Sequence, residues 1–401
     1  MEKTVVGVVC EYNPFHKGHQ YHLQTIKKLT DNAPIICVMS GHYVQRAEPA
    51  LLDKWTRTRM ALAAGASLVI ELPTYYSTAT AEHFALGAIR LLQATGLVNA
   101  LSFGMEKPDL MPGLEQLAAQ LEPETPAYQA LLSEHLKTSS SFARARLKAL
   151  QHFCPIPEEN LQAPGAILIL EYLKALRRLS FCPDLLPIQR VSAGYHDTST
   201  QASFPSATAI RRQAAKGCSI APYLPDCCQP YVSASLLLPD RLFEALPYQL
   251  SRHTAESLRD IDEVAEGLEN RILAANTDSP DYAELLSRLK TKRYPTSRLR
   301  RVLLNILLDI RRENKAALNF LQGPAYLRVL GFRKADENLL SALCKQASLP
   351  VITNLSQQYA ELPPTAKRAL NDELRFSRIY AQAHPDLLQD AELRMPLIVQ
   401  K

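Results

Sequence analysis

Four short apolar runs fill the first 105 residues and leave few architectures open: "TVVGVVC" (4–10), "APIICVM" (33–39), "SLVIELP" (67–73) and "NALSFG" (99–104). Each is short enough for a buried strand, and segments of helical spacing separate them. "GHQYHLQTIKKL" offers Tyr21, Ile26 and Leu29 for packing, and "DKWTRTRMALAAG" has Asp53 to cap its start and Gly65 to end it. A third helix is expected from about Thr80 to Leu92. The βαβαβαβ order implies an α/β fold, a Rossmann-like parallel sheet with right-handed crossovers, whose ligands sit at the carboxyl ends of the strands.

Residues 108–180 read as a helical lobe, with "YQALLSEHL", "FARARLKALQHF" and "AILILEYLKALRRL" as helices. "LLPIQRV" then reads as another strand, and "SATAIRRQAAK" as a helix that Ser206 is placed to cap. Prolines 222, 225, 230, 239 and 247 follow. A chain of 401 residues exceeds the usual ceiling for one core. Two domains are therefore expected, residues 1–217 and a mostly helical 218–401 in which only "LPVITN" looks extended.

With 47% hydrophobic and 21% charged residues, the composition is that of a globular protein without a disorder signature. The first apolar run is too short for a secretory core, and no stretch reaches the ~18 apolar residues of a membrane span. A cytoplasmic, membrane-free protein is expected. Eight cysteines are scattered without C-x-x-C spacing, so they read as reduced thiols rather than a metal site. The net charge of +5 matters less than its distribution: "RLKTKRYPTSRLRR" (288–301) holds seven Lys or Arg and no acid. Such a run is either a solvated helix face or a contact for a phosphate backbone.

Chemistry concentrates in "EYNPFHKGHQYHL" (11–23), between the first strand and the first helix. A His-rich polar loop, a metal site and a phosphate site at a helix start are the readings open to it. A helix N-terminus presents unsatisfied N–H groups and a positive dipole end, which suit phosphate. Gly18 gives backbone access, and His16 and His19, three apart, project to one side as donors for a phosphoryl group. No third ligand accompanies the pair, which weakens a zinc reading, and no metal-ligand set is assigned. Gln45, Arg46 and Glu48 follow the second strand and could line a small-substrate pocket at the same edge.

"NPFHKGH" resembles the H-x-G-H signature of the nucleotidyltransferase (HIGH, HUP-type) superfamily, and "FPSATAIRR" (204–212) resembles its second signature, S/T-x-x-I-R. The longer stretches "VMSGHYVQRAEPALLDKWTRTRMALAAGASLVIELP", "SFGME", "RVSAGYHD" and "KRYPTSRLRRVLLNILL" resemble the bacterial tRNA(Met) cytidine acetate ligase family, from residue 5 to about 335. That resemblance implies an ATP-dependent ligase, with Mg2+ accompanying ATP, that activates acetate as acetyl-adenylate. The acetyl group then passes to the wobble cytidine of elongator tRNA(Met), giving N4-acetylcytidine.

The resemblance also implies site residues. ATP falls on Gly7, Val8, Val9 and Cys10 of the strand, Glu11, Tyr12, Asn13, Pro14 and Phe15 of the loop, and His16, Lys17, Gly18, His19 and Gln20 of the helix start. Gly104, Gly165, Ala166, Arg190 and Ser206 complete that set. His16, His19 and Arg211 are the catalytic candidates, with Thr208 beside them. For tRNA the candidates are Lys290, Lys292, Arg293, Arg298, Arg300 and Arg301.

Two departures stand out. The family reads "PNNIL" where this chain has "PGAIL" (164–168), so Gly165 and Ala166 replace two asparagines. Losing one side-chain hydrogen bond to the nucleotide costs on the order of 1 kcal/mol or more. Ala47 stands where relatives often have Gly. A small-molecule adenylyltransferase and a catalytically lapsed tRNA-binding protein are the alternatives that these departures keep open.

Overall fold

A computed structural model describes residues 3–138, 142–154, 156–190, 205–291 and 294–401, the side chains of 142 and 143 excepted. Lys292 and Arg293 of the expected tRNA surface, and the "GYHD" segment, lie outside the described residues.

The expected alternation is present. Strand β1 (Val6–Cys10) leads to helix α1 (Lys17–Leu29), β2 (Ile35–Ser40), α2 (Lys54–Ala63), β3 (Leu68–Leu72), α3 (Ala81–Ala94) and β4 (Ala100–Met105). Helix α4 (Pro164–Arg178) closes the helical lobe and feeds β5 (Asp184–Gln189), after which comes α5 (Ala207–Ala215). The caps read from sequence form: Thr56 N–H donates to Asp53 Oδ1 at 2.9 Å, and Ala209 N–H to Ser206 Oγ at 3.2 Å. Gly65 has φ +113°, a backbone that an L side chain would strain. In α1 the packing residues are Leu23 and Ile26, while Leu29, expected inside, is 63% exposed because it ends the helix where the chain turns away.

These five strands pair in parallel in the order β3-β2-β1-β4-β5. Val8 lies opposite Cys37 on one side and Ser102 on the other. Strand residues alternate between two cores: Ile36, Val38, Leu68 and Ile70 pack on one face, and Ile35, Cys37, Met39 and Val69 on the other. The near-continuous apolar runs follow, since both faces are covered. The strand order reverses between β1 and β4, which opens a crevice at their carboxyl ends.

The described residues between 239 and 317 are mostly helical, including α6 (Thr296–Leu308), but the second half of the chain does not stay apart from the sheet. Strand β6 (Leu327–Arg333) pairs antiparallel with β3, and β7 (Val351–Ile352), the expected "LPVITN" segment, pairs with β6. After α7 (Pro364–Ala383) and the short α8 (Ala391–Arg394), β8 (Ile398–Gln400) closes the edge. The eight-stranded sheet therefore crosses the expected 217/218 boundary, and one of its pairings is antiparallel. Hydrogen-bonding the edge of β3 removes an otherwise open row of backbone donors and acceptors.

Candidate nucleotide-binding site

The loop after β1 is shaped by side chains that grip its backbone. Arg57, fully buried in α2, donates to the carbonyls of Glu11 (2.7 Å), Ser40 (2.9 Å) and Leu52 (3.0 Å), and also to that of Gly41. The Asn13 side-chain carbonyl accepts from Leu51 N–H at 2.7 Å. Glu11 Oε1 accepts from Gln45 N–H at 2.7 Å. Tyr12 takes φ +49°, and the Asn13–Pro14 peptide is cis. The turn so held delivers the chain into α1 with His16 as N-cap.

The imidazole geometry fixes which ring nitrogens face outward. Gly18 N–H donates to His16 Nδ1 at 3.0 Å, and His16 N–H to His19 Nδ1 at 3.3 Å. A nitrogen that accepts carries no proton, so in the neutral ring Nε2 is the donor. Burial pushes the His16 pKa down to about 4, aided by the positive charges of Arg190 and Arg211. Burial likewise holds His19 well below its ordinary value, with His16, His22 and Arg190 adding to the effect. Both rings are therefore neutral near pH 7. They stack with centroids 3.8 Å apart, presenting two N–H donors side by side.

The second motif docks against the first. Arg211, on α5, donates through Nη1 to the Asn13 carbonyl at 2.7 Å, with Nη2 3.5 Å from Thr208 Oγ1. A cleft of about 340 Å³ opens between them. On the phosphate-like side it is lined by His16, Gly18, His19, Ser206, Thr208 and Arg211. Beyond β4 and β5 the lining is Gly104, Pro164, Gly165, Gln189 and Arg190. Val8, Val9, Cys10, Glu11, Tyr12 and Asn13 form its floor, with Gln45 and Arg46 at its rim.

Not every expected residue reaches it. Gly7 lies under the sheet, where a Cβ would come within 2.9 Å of Leu92. Phe15 is in the core, Ala166 is buried in α4, Lys17 donates to the Pro222 carbonyl at 3.1 Å, and Gln20 turns toward Cys227. Pro14 shapes the loop without lining the cleft, and Glu48 forms an ion pair with Arg300 instead. His22 does line the cleft, but its ring is tied: Ser102 Oγ gives its proton to the Leu186 carbonyl at 2.9 Å, so it accepts from His22 Nε2 at 3.0 Å, joining α1 to β4.

The basic run is largely engaged within the fold. Arg301 forms a two-pronged pair with Glu263 at 2.8 and 2.9 Å. Arg298 lies over the Tyr294 ring and donates to the Glu263 carbonyl at 3.3 Å, and Lys290 is exposed. Sequence reasoning missed the apolar flank of the cleft, Phe84, Phe103, Leu168, Ile169 and Tyr172, because such residues carry no mark that separates them from core. It also missed Arg57, which in "KWTRTRM" looks like an exposed helix face. Among the described residues no three His, Cys, Asp or Glu converge as a metal site.

A switch-point cleft, a helix start with two aligned imidazole donors and a facing arginine from a late helix define a nucleotide-binding α/β protein of the nucleotidyltransferase class. The HIGH Nucleotidyl Transferase family matches residues 3–393. The tRNA(Met) cytidine acetate ligase of Thermoanaerobacter sp. (strain X514) is 39% identical over 390 residues, 95% of each chain. That of Acetivibrio thermocellus is 35% identical over 396 residues, again 95% of each. The crystal structure of Thermotoga maritima TmcAL bound with alpha-thio ATP superposes with a TM-score of 0.90 at 30% identity, covering 99% of both chains. The chain belongs to the tRNA(Met) cytidine acetate ligase family of the HIGH nucleotidyl transferases.

Proposed function

We propose that the protein is an ATP-dependent ligase that activates acetate as acetyl-adenylate and transfers the acetyl group to the wobble cytidine of elongator tRNA(Met), forming N4-acetylcytidine. The observation that carries this reading is the convergence of the two motifs: the stacked His16 and His19 donors and Arg211 meet across the Asn13 turn. In the first step an acetate oxygen bonds to the α-phosphorus of ATP and the α–β bridging bond breaks, releasing pyrophosphate. Charge builds on the phosphoryl oxygens, and neutral N–H donors with a fixed guanidinium stabilise it without reorganising. In the second step the cytidine N4 bonds to the acetyl carbon, AMP leaves, and the amine proton is lost to solvent.

Besides His and Arg nitrogens, the described lining offers the hydroxyls of Ser206 and Thr208, the amides of Gln45 and Gln189, and one carboxylate, Glu11, whose Oε1 accepts from Gln45 N–H. Mg2+ is usually held by one or two carboxylates together with substrate phosphates, and in this reading it arrives on ATP's own phosphates. Residues 1–217 carry the chemistry. For tRNA the reading assigns the basic run of 218–401, Lys290, Lys292, Arg293, Arg298, Arg300 and Arg301, of which Lys290 is exposed while Arg300 and Arg301 are held by Glu48 and Glu263, the former tying the run to the rim loop. No described helix is long and apolar enough to cross a membrane, and the reading places the enzyme in the cytoplasm with its tRNA. Incubation with ATP, isotope-labelled acetate and unacylated tRNA(Met), followed by nucleoside mass spectrometry, should reveal labelled N4-acetylcytidine and pyrophosphate; finding neither acetyl-adenylate nor modified tRNA refutes the reading.

A further inference from the structure

Two glycines define the wall of the cleft beyond β4. A Cβ at Gly104 would stand 2.9 Å from Arg190 Nε, and a Cβ at Gly165 would stand 2.7 Å from Glu106 Oε2. The side chains of Arg190 and Glu106 thus occupy the volume that side chains at 104 and 165 would fill. The two are paired, Arg190 Nη1 donating to Glu106 Oε1 at 3.0 Å, and each is partly exposed, 40% and 36%. Glu106 Oε2 rests against the bare Cα of Gly165, and no described residue donates to it.

Arg190 stands at a junction. It lines the same cleft as His16, His19 and Arg211, and its guanidinium fixes Glu106 beside Gly165. A carboxylate repels phosphates, so an anionic triphosphate places its phosphates toward His16, His19 and Arg211 and turns its nucleoside toward Glu106. A nucleoside offers that acceptor two kinds of donor, the ribose hydroxyls and an exocyclic amine of the base. Carboxylates at strand ends accept ribose hydroxyls in other doubly wound folds.

We propose that Glu106, which stands directly beside the lining residues Gly165 and Arg190 rather than in the lining itself, is the nucleoside-specificity residue of this cleft, its Oε2 accepting a hydrogen bond from the bound nucleoside, and that Gly165 is what leaves the carboxylate room to do so. The inference rests on the nucleotide-binding reading above. Replacing either residue should change which nucleotide is preferred, not only how tightly any nucleotide binds.

Calorimetric titration of ATP, 2′-deoxy-ATP, 3′-deoxy-ATP and ITP into the intact protein and into Glu106→Ala, Glu106→Gln and Gly165→Ala tests it. The unaltered protein should bind ATP about tenfold or more tighter than at least one analogue that lacks a donor, the loss expected when a charged acceptor goes unpaired. A deficit with the deoxy nucleotides assigns the donor to ribose, and one with ITP assigns it to the base amine. Glu106→Ala should erase that preference, Glu106→Gln should keep part of it through the amide oxygen, and Gly165→Ala should weaken it by displacing the carboxylate. Equal ATP-to-analogue ratios in the unaltered protein and in a Glu106→Ala variant with an unchanged melting curve overturn the proposal, and Gly165→Ala serves as the independent check where Glu106→Ala unfolds. If the unaltered protein binds none of the four nucleotides, the nucleotide-binding reading fails first and the specificity proposal falls with it.

Discussion

The histidines of the opening motif act as neutral donors, and the reason is burial. His16 and His22 are pushed down to about 4 from 6.5, and burial holds His19 and His42 well below that ordinary value. The unfolded chain takes up protons on these four rings between pH 6.5 and 4 where the folded protein does not. Stability must therefore fall as the pH drops through that window. Glu373 acts in the opposite sense: burial, with the charge of Glu71, raises its carboxyl to about 7, so the fold holds a proton there that the unfolded chain releases above 4.5. Burial lowers His83 and His253 as well, so one group opposes six, and the melting temperature should be clearly lower at pH 5 than at pH 7. A flat or rising trend would show that the rings are protonated in the fold. The Ala47 departure also finds its meaning at this scale: it sits fully buried at φ +55°, a conformation glycine adopts without cost.

Among elements, α2 differs most from its sequence appearance. "KWTRTRM" reads as a polar helix, yet Lys54, Thr56, Arg57 and Thr58 are buried because β6, α8 and β8 close over it. Lys54 Nζ pairs with Glu71 at 2.6 Å and Glu392 at 2.5 Å, and Arg328 reaches Glu392 at 2.6 Å. Burial alone would raise the Glu392 carboxyl, but Arg328 and Lys54 outweigh it and hold it well below the usual range. Two cations thus stand against two carboxylates inside the protein, joining α2, β3, β6 and α8. Removing one member strands the rest, which costs about 3–5 kcal/mol. Lys54→Met should lower the urea midpoint by that equivalent, and a change under about 1 kcal/mol would mean water reaches the cluster.

For the whole molecule, the basic run does two jobs. Arg300 and Arg301 bind Glu48 and Glu263 within the fold, whereas Lys290 is exposed. In the proposed tRNA complex, log affinity should fall linearly with log salt, and Lys290→Gln should reduce the slope by about 0.7–0.9, the value of one phosphate contact. An unchanged slope would remove Lys290 from the interface. The sequence by itself determined the αβ alternation through β5 and the caps at Asp53 and Ser206, because each is written in a local window of spacing and residue type, while the pairing of "NPFHKGH" with "SATAIRR" is legible only through resemblance to a family that carries both motifs. Only the tertiary structure decided that β6 and β8 join the first sheet, that Arg57 and Lys54 are interior, that two arginines of the basic run pair inward, and that Glu106 fills the space beside Gly165. The physical reason is range: those outcomes depend on contacts between segments tens to hundreds of residues apart, as in the Lys54–Glu392 pair, whose free energy appears only once both surfaces have left water together.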